Sequence, residues 1–184
     1  MLIKTVFAGF GGQGVLSMGL NVAQAAMMEG KNVTYLPSYG VEVRGGTANC
    51  TVAISDEEIA SPVASAPEFV VAMNKPSVVR FQNEIQSGGV LFINSTFIEG
   101  EISRGDIEVI MVPAGDIAER LGSPKSANMV MLGAFIKKSN LVSISTVFEE
   151  LKNTLKNKES LIDINEKALT AGYSFFQPTR GGKL

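Results

Sequence analysis

The sequence predicts an α/β fold: a single doubly wound, Rossmann-like domain with a mostly parallel sheet and additional C-terminal helices. Three observations carry this. A strand-like opening runs straight into a glycine-rich turn and a helical pattern; short Val- and Ile-rich segments then recur up to Pro113; beyond Pro113 the periodicity is helical throughout. At 184 residues, 45% hydrophobic and 18% charged, the chain suits one core, so residues 1–176 are expected to form one domain and residues 177–184 a tail.

The first strand is expected over Leu2–Phe7 and the first helix over Gly14–Gly30. Leu16, Leu20, Ala23 and Met27 fall on one helical face, which is expected to be the core face, while Gln13, Ser17, Asn21 and Gln24 mark a more polar one. Gly30 stands where a helix-ending glycine belongs, and Asn32–Leu36 supplies a second strand before Pro37. This β-loop-α-β unit predicts parallel strands with a right-handed crossover. Further strands are expected at Thr47–Ile54, Glu68–Met73, Val90–Ile93 and Ile107–Val112, with a crossover helix at Lys75–Ile85 and a turn at Gly88-Gly89. Helices are expected at Asp116–Leu121, Ala127–Lys137, Ser145–Lys156 and Ser160–Phe176. In the last, Leu161, Ile164, Ala168, Ala171 and Phe175 form an apolar stripe that would close the core.

Composition excludes several functions. A net charge of -2 with scattered Lys and Arg gives no basic face for nucleic acid. No apolar run approaches the roughly 20 residues that span a bilayer, so no membrane partner is expected. The single Cys50 falls short of the thiolates an iron-sulfur cluster takes, and a reducing cytoplasm is the expected location. Zero histidines removes the usual general base, zinc ligand and nucleophile partner, which argues against self-contained catalysis.

Two stretches stand out. Gly9-Phe10-Gly11-Gly12-Gln13-Gly14 lies between a strand and a helix, where glycines allow close backbone approach and unpaired N–H groups favour an anion. A nicotinamide site also needs an acidic residue ending the second strand, but that strand reads Val33-Thr34-Tyr35-Leu36-Pro37. An anion or partner contact therefore ranks above a dinucleotide, with a purely structural turn as the bland alternative. The second stretch, Pro37 to Cys50, carries Ser38, Tyr39, Glu42, Arg44, Gly45, Gly46, Thr47 and Asn49 and reads as a recognition loop beside the first. Its bland reading is an ordinary loop with solvated Glu42 and Arg44. Cys50 itself reads as a buried core thiol; Met129 and Met131 as core; Asn128 as a loop anchor.

Gly-Gly-Gln-Gly followed by Tyr-Gly-Val-Glu-Val-Arg-Gly-Gly-Thr-Ala-Asn-Cys, with Ala-Asn-Met-Val-Met-Leu-Gly-Ala at Ala127–Ala134, resembles the gamma subunits of 2-oxoacid:ferredoxin oxidoreductases. Within that family the Arg-Gly-Gly-Thr-Ala-Asn-Cys form is most similar to the 2-oxoglutarate enzymes, with branched-chain 2-oxoacid and pyruvate enzymes as alternatives. The resemblance implies a subunit with no catalytic residue, metal or cofactor of its own. Thiamine diphosphate, magnesium and [4Fe-4S] clusters would sit on the alpha, beta and ferredoxin-like subunits, with coenzyme A as co-substrate and ferredoxin or another acceptor taking the electrons. The adjacency of the two stretches at the carboxyl edge of the sheet adds the expectation that Gly9, Gly11, Gly12, Gln13 and Gly14 form an anion or coenzyme A phosphate loop, and that Ser38, Tyr39, Glu42, Arg44, Gly45, Gly46, Thr47 and Asn49 form a partner interface. Self-association of the isolated chain through that surface is a further expectation. The rival readings are a free-standing nucleotide-binding module and a ligand-free oligomeric scaffold.

Overall fold

The computed structural model describes residues 1–39, 46–62, 65–98, 102–156 and 158–175. The tail expected at 177–184 lies outside them. In chain order the elements are β1 (Leu2–Phe10), α1 (Val15–Met28), β2 (Asn32–Tyr39), β3 (Thr47–Ser55), β4 (Phe69–Ala72), α2 (Lys75–Phe81), β5 (Val90–Asn94), β6 (Glu108–Val112), α3 (Ala114–Arg120), α4 (Ala127–Ser139), α5 (Ile144–Thr154) and α6 (Glu159–Phe175). Each sequence-predicted element is present, with ends displaced by a few residues.

The strands form one sheet in the order β2-β3-β1-β4-β5-β6. Pairings β1–β4, β4–β5 and β5–β6 are parallel, which is the α/β sheet the sequence predicts. The β1–β2 pairing implied by the opening β-loop-α-β unit does not form. β3 lies between them and runs antiparallel to both. The cause is chain length, because only residues 40–46 join β2 to β3 and a parallel crossover takes roughly a dozen residues or more. A hairpin is the pairing left to them.

The sheet buries both faces. Phe7, Val71 and Phe92 point into a large core shared with α1, α4, α5 and α6, whereas Val6, Ala8, Val70, Ala72, Leu91 and Ile93 meet Val78, Phe81 and Ile85 on the α2 side. α4 is wedged between the sheet and α6. Its Phe135 packs edge-on against Phe7, Phe69 and Phe92 at centroid distances of 5.2, 5.6 and 5.8 Å. On its other side Gly133 and Gly172 let α4 and α6 touch backbone to backbone, since a Cβ at Gly172 would run into the Val130 carbonyl and one at Gly133 into the Leu169 carbonyl. Met129 and Met131 are core, as expected.

Two apolar stripes differ from expectation. On α1 the core face is Val15, Met18, Val22, Ala25 and Ala26; Ala23 is buried with them, but Leu20 and Met27 are exposed, and Asn21 from the supposed polar face is buried. The reason is Gly19, which meets β3 so closely that a Cβ there would strike Cys50 Sγ, fixing the small-residue side of the helix toward the sheet. On α6, Ala168, Leu169 and Gly172 are the buried residues, while Leu161 and Phe175 at the two ends are exposed.

Candidate functional site

The glycine-rich turn sits at the carboxyl end of β1 and is held from within. β1 runs one residue past its Gly9, which is buried, and a Cβ there would come within 2.7 Å of Gln13 Oε1, 2.8 Å of Val15 Cγ1 and 3.1 Å of Met73 Cβ. The turn closes where Gln13 N donates to the Phe10 carbonyl at 3.1 Å. Gln13 Oε1 then accepts from Phe10 N at 2.7 Å and from Asn74 Nδ2 at 3.2 Å, and Gln13 Nε2 donates to the Met73 carbonyl at 3.4 Å. Gln13 is thus a brace between the turn and the end of β4. Asn74 passes the connection on by accepting from Ser77 N at 2.9 Å, which caps α2.

On either side of Gln13 the turn is less enclosed than at Gly9. Gly12 is exposed with φ +96, and an added Cβ would meet nothing within 4 Å, so its backbone conformation, and not crowding, calls for glycine. Gly14 has φ +71 and opens α1 without any side-chain cap. A Cβ on it would collide with Asn128, whose Nδ2 lies 3.5 Å from the Gly14 carbonyl, the loop anchor expected of that residue. Gly14 thus offers the first-turn N–H groups of α1 no capping side chain, and the helix dipole places partial positive charge there.

The two sequence motifs meet. Gly11 N donates to the Gly46 carbonyl at 2.9 Å, and Phe10 pairs with Thr47 across β1 and β3. Ser38 and Tyr39 belong to β2, and Thr47 and Asn49 to β3, so the described ends of the expected recognition loop are paired strands, with Gly46 beside the glycine turn. Ser38, Asn49 and Ala8 form one cross-strand row on the α2 side of the sheet, with Ser38 exposed and Asn49 buried. Thr47 is exposed. Glu42, Arg44 and Gly45, with the side chain of Tyr39, lie outside the described residues.

Chemically the arrangement offers backbone N–H groups and hydroxyls. The antiparallel β3 occupies the position beside β1 where a dinucleotide fold places its ribose-holding strand, and β2 ends without an acid, so the geometry for a nicotinamide ribose is missing twice over. Cys50 is buried under α1, and burial pushes its thiol up to about 12. It is a packing residue at physiological pH. The residues that sequence reasoning missed are Met73 and Asn74; the Asn-Lys-Pro run at Asn74–Pro76 carries a helix-start signal but nothing that announces contact with Gln13.

The family described as Pyruvate ferredoxin/flavodoxin oxidoreductase matches residues 4–175. Among curated proteins the chain is 40% identical over 183 residues to the ketoisovalerate oxidoreductase subunit VorA of Methanothermobacter thermautotrophicus, covering 99% of this chain and 38% of that one. The chain thus spans well under half the length of VorA. It is 36% identical to the 2-oxoglutarate synthase subunit KorC of Methanothermobacter marburgensis, over 80% of this chain and 83% of that relative. Among solved structures, a 2-oxoglutarate:ferredoxin oxidoreductase from Magnetococcus marinus shares the fold at a TM-score of 0.88 and 24% identity, over 94% of this chain and 30% of that one. The gamma subunit of a keto/oxoacid ferredoxin oxidoreductase from Geobacter sulfurreducens matches at a TM-score of 0.80 and 25% identity, over 94% of this chain and 96% of that one.

Proposed function

The chain belongs to the pyruvate ferredoxin/flavodoxin oxidoreductase family, and on that premise we propose that it is the gamma subunit of a cytoplasmic 2-oxoacid:ferredoxin, or other acceptor, oxidoreductase. The observation that carries this reading is the junction of the two motifs at Gly11 and Gly46, which sets the outward-facing glycine turn against the start of β3. A relative named as a ketoisovalerate oxidoreductase subunit, and one named as a 2-oxoglutarate synthase subunit that is matched over 83% of its own length, support it.

In this reading thiamine diphosphate supplies the carbanion chemistry on the larger subunits, and a 2-oxoacid with coenzyme A yields acyl-coenzyme A, carbon dioxide, a proton and two electrons. This chain's part is positional. Gln13 and Asn74 hold the glycine turn rigid against β4, so that Gly12 and the start of α1 present N–H groups in a fixed array. That array suits a phosphate of coenzyme A or a carboxylate of a partner subunit. Ser38, Tyr39, Glu42, Arg44, Gly45, Gly46, Thr47 and Asn49 form the partner contact around it.

Affinity purification of the tagged chain from its native, anaerobically prepared extract tests the proposal. Larger subunits with iron-sulfur absorbance and 2-oxoacid- and coenzyme A-dependent acceptor reduction are expected. Recovery of the chain alone with a bound nucleotide would favour a free-standing module. For the substrate, 40% identity to the ketoisovalerate relative over 99% of this chain favours a branched-chain 2-oxoacid. The KorC relatives and the Arg-Gly-Gly-Thr-Ala-Asn-Cys motif keep 2-oxoglutarate as the second reading. Turnover of 3-methyl-2-oxobutanoate, 2-oxoglutarate and pyruvate by the same purified complex separates them.

A further inference from the structure

α1 and α5 border a groove of about 370 Å³ that lies away from the glycine turn. Its α1 wall is Gln24, Met27 and Met28, and its α5 wall is Glu150, Asn153 and Thr154. Helical spacing puts Leu20 in line with Gln24 and Met27. Leu20, Met27 and Met28 are 39%, 63% and 46% exposed, so this apolar stripe has no cover among the described residues.

The groove is not merely apolar. Glu150 is only 2% exposed; its Oε1 accepts from Thr154 Oγ1 at 2.6 Å, while its Oε2 is buried and has no hydrogen-bond partner among the described residues. Gln24 Oε1 is buried and unpartnered in the same way. Two acceptors thus lie beneath one groove, a costly arrangement unless a donor completes it. Burial raises the Glu150 carboxyl above its ordinary range, against the lowering effect of Thr154. Lys152 on the same helix does not serve it, because its Nζ pairs with Glu166 Oε1 at 3.1 Å.

We propose that this groove receives a Lys or Arg side chain from a partner polypeptide of the oxidoreductase complex, its alkyl stem lying against Met27 and Met28 and its cation meeting Glu150 and Gln24. An apolar side chain would leave both oxygens bare, and an anion would be repelled. A cation offsets the desolvation of the carboxylate form more fully than a neutral donor does. Lys and Arg have the reach that two oxygens shut off from solvent call for. VorA, most of whose length lies outside the match, shows that a relative of this chain can be joined to a good deal of further polypeptide. The inference rests on the gamma-subunit reading.

The test compares wild type, Glu150→Gln and Met27→Ser, each as the full chain co-expressed with its partner subunits. The Kd of the chain for those subunits and the melting temperature of the free chain are measured. Glu150→Gln is expected to weaken association roughly tenfold or more while leaving the free chain as stable or more stable, because a buried ionisable group has been neutralised. Met27→Ser, at an exposed position, is expected to weaken association several-fold without moving the melting temperature, and it gives the same reading should Glu150→Gln fold poorly. Unchanged Kd in both variants with a lowered melting temperature in Glu150→Gln would make Glu150 structural and overturn the proposal. Loss of a wild-type homodimer in both variants, with partner affinity intact, would overturn it in favour of self-association. Failure of the wild-type chain to bind any partner would overturn the subunit reading as well, and so is told apart from failure of the groove alone.

Discussion

α1 and α4 are both apolar around most of their circumference, yet they meet opposite fates. α4 lies between the sheet and α6, and its residues from Asn128 to Ile136 are all buried. α1 has the sheet on one side only, and the stripe of Leu20, Met27 and Met28 on its other side is exposed. Periodicity therefore identifies a helix more securely than it identifies the face that packs. In both helices the decisive marks are small residues: Gly133 where α4 meets α6, and Gly19, Ala25 and Ala26 where α1 turns inward. Large apolar residues opposite such a small-residue face are the ones left for another molecule.

The contrast is most sharply tested where the backbones touch. Gly172→Ala should cost about 3 kcal/mol or more, because the new methyl meets the Val130 backbone, which cannot yield as a side chain can. Urea denaturation of the variant should show a collapsed midpoint or no cooperative transition. Phe135→Ala should cost about 3–5 kcal/mol by emptying the aromatic cluster beneath α4, whereas Met27→Ala should stay within about 0.5 kcal/mol of wild type. Equal losses at the two positions in thermal unfolding would erase the distinction between the helices.

Gly19→Ala should cost about 1–3 kcal/mol through its clash with Cys50 Sγ. Adding Cys50→Ala should return part of that, leaving the share due to Tyr35 and Val52, each 3.3 Å from the added methyl. A double-mutant cycle with zero coupling would mean that α1 is not seated on β3 as described. The smallest effect is on thiol chemistry. With its thiol pushed up to about 12 and buried, Cys50 should resist iodoacetamide at pH 8 in the native chain and react in urea.

The sheet was legible because β-branched runs and turn glycines are local signals, and each expected strand is present. The direction of β3 was not, because Thr-Ala-Asn-Cys-Thr-Val-Ala-Ile reads the same whichever way it pairs; the short span from Tyr39 to Thr47 was the physical clue. At the site, the glycine turn and its neighbour were legible as motifs, and their contact through Gly11 and Gly46 followed from placing both at one sheet edge. The bracing role of Gln13 was not legible, since its partners Met73 and Asn74 stand 60 and 61 residues away. The α1–α5 groove was hidden for the same reason: Gln24 and Glu150 come from distant parts of the chain, and the stripe that borders them had been assigned to the core.

Omission and add-back tests the central claim most directly. The partner subunits are prepared with and without this chain, and 2-oxoacid- and coenzyme A-dependent reduction of an electron acceptor is measured. The account predicts that activity is lost without the chain and restored by adding it back, with less restoration by a chain carrying Gln13→Ala, which releases the glycine turn from β4. Full activity in its absence would contradict the account.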